Sequence, residues 1–192
     1  MTSTARLQGF LDDCTAVARP GADPSDIVQE IAPMMLRLLA GGADFLRPEH
    51  FRADPAHYAR NLVHAAADDS LSLFTLVWLP GQMTPVHDHG TWGVVGVVEG
   101  VLMEQSYMRL DPEPHAGRDS GIKLRRGGLS LLTAGTVSTF VPNPDHIHVT
   151  GVKDDWQRAI SLHLYGRMLS DFHIYDTEAG TRSLIHAKHT ET

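Results

Sequence analysis

The sequence predicts a mainly β fold, a sandwich or closed barrel of short strands, with a helical part on its N-terminal side. Three observations predict it. After residue 70, short apolar stretches rich in β-formers are punctuated by Gly, Pro and Asp turns. Before residue 70, apolar residues recur at helical spacing. The chain has 192 residues, 42% of them hydrophobic, which suits one domain with a sizeable core. We therefore expect a single domain over 1–192, with residues 1–70 mainly helical and residues 71–180 forming the β-barrel. No internal repeat, low-complexity segment or linker divides it.

The helical part is anchored by DPSDIVQEIAPMMLRLLAGG. Asp23 stands as its N-cap, Pro24 takes the first helical position, and Gly41–Gly42 end the run. Pro33 predicts a kink or a helix boundary. PAHYARNLVHAA, residues 55–66, reads as another short helix. SLFTLVWL (72–79) is apolar and strand-like, and WGVVGVVEGVLMEQSYMRL (92–110) reads as one or two strands broken at Gly96 and Gly100. DPEPHAGRDSG (111–121) is a loop or hairpin turn. IKLRRGG, LSLLTAGTVSTFV, HIHVTGV, RAISLHLYG and FHIYDTEAG complete the strands.

Composition narrows the function. A net charge of −7 argues against nucleic acid or an anionic membrane surface as the main partner. No apolar run approaches the roughly 18 residues that span a bilayer. Asp12 and Asp13 fall where a signal peptide would be apolar, so a cytoplasmic protein is expected. The one cysteine, Cys14, excludes an intramolecular disulfide and a cysteine-based zinc site. Twelve histidines are many for this length, although His186 and His189 in the polar tail HAKHTET read as surface.

The histidines of TPVHDHGTWG carry the chemistry. Side chains alternate along a strand, so His87 and His89 share a face and Asp88 points away, as a structural residue. Downstream, PDHIHVTG offers His146 and His148, which also share a face, so parity leaves both open as a further ligand. RAISLHLYG alternates strictly: Ile160, Leu162 and Leu164 face one way, and Ser161, His163 and Tyr165 the other. That polar row is either a solvent face or a hydrogen-bonded set pointing into the barrel.

The pattern Gly81-x5-His87-x-His89-x10-Gly100 resembles the first metal motif of the cupin superfamily, small double-sheet β-barrels that hold a metal inside. The glutamate usual in that motif is missing, because Gly93 or Val94 stands in its place. S-x-H-x-Y on a late strand, the preceding HDH, and a histidine fifteen residues before His163 resemble the cysteine dioxygenase type I family. YARNLV (58–63) is similar to a segment of that family whose arginine binds the substrate carboxylate, and TPVHDHGTWGVVGVVEG is similar to its bacterial branch. The resemblance covers roughly residues 55–180.

This resemblance implies a cupin-type double-sheet barrel (jelly roll) with an N-terminal helical segment. It implies Fe(II) on His87, His89 and His148, with His146 in reserve, and a three-histidine site with open positions for a thiolate and O₂. It places the catalytic row at Tyr165, His163 and Ser161, and the carboxylate at Arg60. Animal members link a cysteine to the tyrosine of the row, but Gly93 or Val94 offers no thiol, so Tyr165 is expected to stay unlinked. Bacterial mercaptopropionate dioxygenases carry glutamine at the Arg60 position and use an arginine soon after the tyrosine. Here Arg167 follows Tyr165 by two, so Arg167 is a second substrate-binding candidate. The expected activity is oxidation of a small thiol carboxylic acid (cysteine, 3-mercaptopropionate or mercaptosuccinate) by O₂ to its sulfinate, in a monomer or homodimer. The alternative is a non-oxidative metal-dependent cupin. Trp78 and Trp92 read as apolar wall or plain core.

Overall fold

The computed structural model describes residues 3–111, 118–142 and 146–190. Helices α1 (Ser3–Val17) and α2 (Pro24–Ala40) come first. The Asp23 carboxylate accepts from the Ser25 N–H at 2.7 Å, and Pro24 opens α2 where a missing N–H costs nothing. The helix runs through Pro33 rather than ending there. A single 3₁₀ turn at Pro48–Phe51 leads into the strands.

Those strands form two antiparallel sheets. One has the order β1-β2-β9-β4-β7: β1 (Ala59–Ala65), β2 (Ser72–Trp78), β9 (Ala159–Tyr165), β4 (Gly93–Glu99) and β7 (Val137–Phe140). The other has the order β11-β10-β3-β8-β5-β6: β11 (Thr181–His186), β10 (Asp171–Asp176), β3 (Val86–His87), β8 (Ile147–Gly151), β5 (Val101–Arg109) and β6 (Leu124–Thr133). The mainly β, cupin-type architecture with a helical N-terminal part is thus the observed one.

The helix expected over 55–66 is instead strand β1. It pairs with β2 from Ala59↔Val77 to Ala65↔Ser72, with a register shift between Leu62 and His64. Its alanines favour a helix, but tertiary pairing overrides that preference. Asn61 is fixed on both sides, because its Nδ2 donates to the carbonyls of His50 and Arg52. The Leu62 N–H donates to the Thr190 carbonyl, and the Thr190 N–H to the Arg60 carbonyl, so the polar tail lies along this edge. The sheets therefore begin at Ala59, not residue 71, and β11 carries them to His186. Of the turn expected over 111–121, residues 112–117 lie outside the described residues.

Both faces of the five-stranded sheet are covered. On its outer face Ile31, Met35 and Leu38 of α2 pack against Leu73, Val94, Leu162 and Leu164. The contact is close, since a Cβ on Gly96 would stand 2.8 Å from Leu39 Cδ1. On its inner face Phe74, Leu76, Trp78, Val95 and Val97 meet Leu102 and Phe172 of the other sheet. Each fully buried aliphatic side chain here contributes about 1.5–3 kcal/mol. No helix among the described residues is long and apolar enough to cross a membrane.

Candidate metal centre

Sheet register brings the first two histidines together. His87 of β3 is the direct cross-strand partner of His148 of β8, so the two rings rise from one face. His89 lies just past the end of β3, where strand parity no longer applies. Asp88 holds it instead. The Asp88 carboxylate accepts from the Tyr175 hydroxyl at 2.7 Å and from the His173 N–H at 3.0 Å, and the Asp88 N–H donates to the His173 carbonyl. The HDH segment is thereby stapled to β10, and the Asp88 carboxylate faces β10 rather than His87 and His89.

The rings of His87, His89 and His148 stand with centroids 4.8, 4.6 and 5.0 Å apart, and one nitrogen from each falls within 4.8 Å of the others. Burial holds all three imidazoles below their ordinary pKa, and their mutual repulsion adds to it for His87 and His89. They are neutral bases at pH 7. His87 Nδ1 lies 3.1 Å from the Pro85 carbonyl, an acceptor, so Nδ1 carries the proton and Nε2 keeps its lone pair. His89 Nδ1 and both ring nitrogens of His148 are buried without a hydrogen-bond partner among the described residues. Three neutral, buried, converging imidazoles with unpaired nitrogens fit a divalent metal ion.

His146 belongs to a different group. It stacks on Phe140 at 4.7 Å and approaches Glu104, whose carboxylate also approaches His148. Register separates two residues that parity left equal.

The row on β9 points inward. Trp78 Nε1 donates to Ser161 Oγ at 2.9 Å, Ser161 Oγ lies 2.8 Å from His163 Nε2, and His163 Nδ1 lies 3.1 Å from the Tyr165 hydroxyl. Donor counting gives the row a direction. The Trp78 N–H can only donate, and the acceptor that the fully buried Ser161 hydroxyl meets among the described residues is His163 Nε2. His163 then donates from Nδ1 to the Tyr165 oxygen, which leaves the Tyr165 proton free to point elsewhere. Burial, then the charges of His148 and Arg60, lower the His163 pKa to about 3, while burial pushes Tyr165 well above the usual phenol range. Both are neutral at pH 7. The strand is buried along both faces, so the solvent-face reading of the row fails.

His87, His89, His148, His163 and Tyr165 line one small cavity of about 20 Å³, together with Arg60, Tyr58 and Phe172, while Ser161 stands behind His163. Arg60 is the one cationic side chain among the described lining residues, and no carboxylate faces it. Its guanidinium lies over the Phe74 ring at 4.8 Å and donates from Nη2 to the Leu169 carbonyl at 2.6 Å. Its Nη1 is buried with no partner among the described residues. Arg60, Tyr58 and Phe172 also line a larger open cleft of about 640 Å³. The guanidinium therefore stands between that cleft and the histidines.

Arg167 stands off the lining of this cavity, away from its expected place at the substrate. Its Nη1 donates to the Asp171 carboxylate at 2.9 Å, and its Nη2 to the carbonyls of Asp171 and His89. With both terminal nitrogens engaged by the protein and its side chain off the cavity lining, it braces the HDH turn. The tryptophans also differ. Trp78 lines the cavity and stacks on Tyr58 at 4.6 Å, whereas Trp92 packs in the helix-side core. Sequence reasoning missed Glu104 and Phe140. Glu104 lies two residues from buried Leu102, and that parity was the available signal.

Residues 26–178 match the sequence model of the cysteine dioxygenase type I family. The chain belongs to this family. Membership implies a dioxygenase of the metal-binding cupin class. Among solved structures, a Klebsiella pneumoniae protein with a double-stranded β-helix domain is 16% identical, covering 67% of this chain and 92% of its own, with a TM-score of 0.46. A cupin-like protein from Thermotoga maritima is 12% identical, covering 71% of this chain and 84% of its own, with a TM-score of 0.41.

Against the pattern of animal cysteine dioxygenases, the position of the linking cysteine can be located. Gly93 is the direct partner of Tyr165 across β4 and β9, whereas Val94 faces the helices. The space beside Gly93 is filled by Phe140, because a Cβ there would stand 2.3 Å from Phe140 Cζ.

Proposed function

We propose that this chain is an Fe(II)-dependent thiol dioxygenase of the cytoplasm that acts on a small thiol carboxylic acid. The reaction is RS⁻ + O₂ → RSO₂⁻. Two S–O bonds form, the O–O bond breaks, and sulfur loses the four electrons that oxygen gains, so no further reductant is needed. The observation that carries the reading is Arg60 Nη1, a buried cationic donor without an anion, in the cavity lined by His87, His89 and His148. An unpaired buried charge is costly, and a carboxylate is the ligand that relieves it through paired N–H···O bonds.

His87, His89 and His148 would hold the metal ion, which would supply a Lewis-acidic centre for thiolate and O₂. The protein's own residues do the rest. Arg60 and Tyr58 receive the carboxylate from the outer cleft and fix the sulfur's distance from the histidines. Tyr165, with its oxygen occupied by His163, offers its proton into the cavity to an oxygen atom of the substrate or of O₂. Ser161, held by Trp78, keeps His163 in the tautomer that makes this possible. Leu76, Leu169 and Phe172 exclude water from the thiolate. Because Arg167 is occupied elsewhere, one guanidinium is available, which favours a monocarboxylate such as cysteine or 3-mercaptopropionate over mercaptosuccinate.

The test is anaerobic iron loading followed by oxygen uptake with cysteine, 3-mercaptopropionate, mercaptosuccinate and cysteamine. The carboxylate thiols are expected to turn over and to yield sulfinate. Turnover of cysteamine, which has no carboxylate, at the rate of cysteine would remove Arg60 from the substrate site. Absence of oxygen uptake with every thiol would favour the non-oxidative cupin.

A further inference from the structure

The cupin glutamate is absent from β4, yet a carboxylate does stand beside the histidines, on a different strand. Glu104 of β5 pairs with Thr150 of β8 and so lies diagonally across from His148 on the same face. Its side chain is 12% exposed, and its two oxygens reach two different rings. Oε1 lies 3.4 Å from His146 Nε2, and Oε2 lies 3.4 Å from His148 Nδ1. No lysine or arginine pairs with it among the described contacts.

We propose that Glu104 is a positioning residue of the metal centre, bridging His146 and His148 and fixing His148 with its proton on Nδ1 and its lone pair on Nε2. The inference rests on the reading of His87, His89 and His148 as metal ligands. A carboxylate beside Nδ1 draws that proton towards itself, raises the basicity of Nε2 and fixes the ring plane. Neither His148 nitrogen has a formed hydrogen bond among the described residues, but Nδ1 has Glu104 Oε2 at 3.4 Å beside it, so Nε2 is the nitrogen left open to a ligand atom. His146 has its own part. Facing Oε1, it holds the carboxylate on the Nδ1 side of His148, so that Glu104 acts through the ring. The centre then has three neutral ligands and one negative charge a ring's width away, where the usual cupin site has that charge in direct contact.

Glu104, His146 and His148 also satisfy ligand spacing by themselves, with one atom from each within 4.8 Å of the others. The experiment must separate a bridge from a second metal site. Metal-free protein and its Glu104→Gln and His148→Ala variants are titrated with Co(II), following stoichiometry, affinity by chelator competition, the visible absorption of the bound ion and melting of the metal-free form. The parent is expected to bind one ion per chain. Glu104→Gln keeps one ion, binds it roughly 10- to 100-fold more weakly and shifts the absorption, while the metal-free form melts with the parent. His148→Ala loses binding.

An unchanged affinity and spectrum in Glu104→Gln, with binding lost in His148→Ala, would overturn the Glu104 bridge and leave the ligand assignment standing. Two ions in the parent and one in Glu104→Gln would make Glu104 a ligand and overturn the bridge. Full binding by His148→Ala would remove the ligand assignment and the bridge with it. If Glu104→Gln fails to fold, Glu104→Asp replaces it. Its carboxylate is withdrawn by one methylene, and the same weakened, spectrally shifted binding is expected. Parent-like binding there would overturn the proposal.

Discussion

On one side of β9, Leu162 and Leu164 are sealed under α2 with no exposure at all. On the other side of the same strand, Ser161, His163 and Tyr165 are 0–4% exposed, as buried as the leucines. Burial does not tell the two sides apart. What differs is how each is satisfied. The leucines need only close contact, which α2 supplies. The polar row needs a partner for every donor and acceptor, and it finds them in a chain from Trp78 to Tyr165 that leaves one hydroxyl proton over. The outer face contributes stability, and the inner face accepts a polar arrangement whose one free proton and one unpaired guanidinium are useful only to a ligand. The Ramachandran-ordinary strand beneath them is the same for both.

Substitutions on the two faces should therefore separate stability from activity. The largest effect is expected for Leu164→Ala, which removes a fully buried side chain from the helix-side core. It should cost about 2–5 kcal/mol of unfolding free energy in denaturant titrations, with KM and metal content of the remaining folded protein unchanged. A changed KM would show that the outer face reaches the site. Arg60→Ala should do the converse. The melting temperature holds, while KM for a thiol carboxylate rises by about 2–3 kcal/mol, roughly 30- to 150-fold. An unchanged KM would take Arg60 out of binding. Tyr165→Phe removes only the free proton and its oxygen, and it should lower kcat by about 1.4–2.7 kcal/mol, roughly 10- to 100-fold, at normal metal content. Full activity in that variant would refute its assigned role.

Two smaller effects sharpen the comparison. Gly93→Ala lies on the inner face but should behave like an outer-face change, because its methyl must displace Phe140. A loss of about 1–2 kcal/mol is expected in thermal melts. The last is a pH effect. The folded His163 pKa is about 3, below the ordinary histidine value near 6.5, so the unfolded chain takes up the proton first. Its contribution is intact above pH 6.5 and is lost as pH falls towards 3, amounting to about 1 kcal/mol by pH 6 to 5.5. Metal-free His163→Gln should consequently lose less stability over that interval than the parent. Parallel losses would mean that His163 is not held neutral.

The alternation of RAISLHLYG was legible because a period of two survives any tertiary context. Which side faced inward was not, since that depends on α2 lying over the leucines. His87 and His89 could be read from their spacing. The choice of His148 over His146 followed from a family resemblance, because its physical basis is the pairing of two strands sixty residues apart. Residues 55–66 misled the reading for a similar reason. Their composition favours a helix, and the strand they form is imposed by Thr75 and Leu76 on one side and Thr190 on the other. Glu104 went unassigned because a lone charge in VLMEQSYMRL carries no information until the opposite strand is known.

The glycine opposite Tyr165 has a consequence for how this protein comes of age. Its single thiol, Cys14, is sealed in the helical layer, and Phe140 fills the place where a sulfur would approach the phenol. A sulfur link to Tyr165 therefore cannot form within the chain. A preparation should reach its steady rate without a lag that depends on the slow formation of such a link.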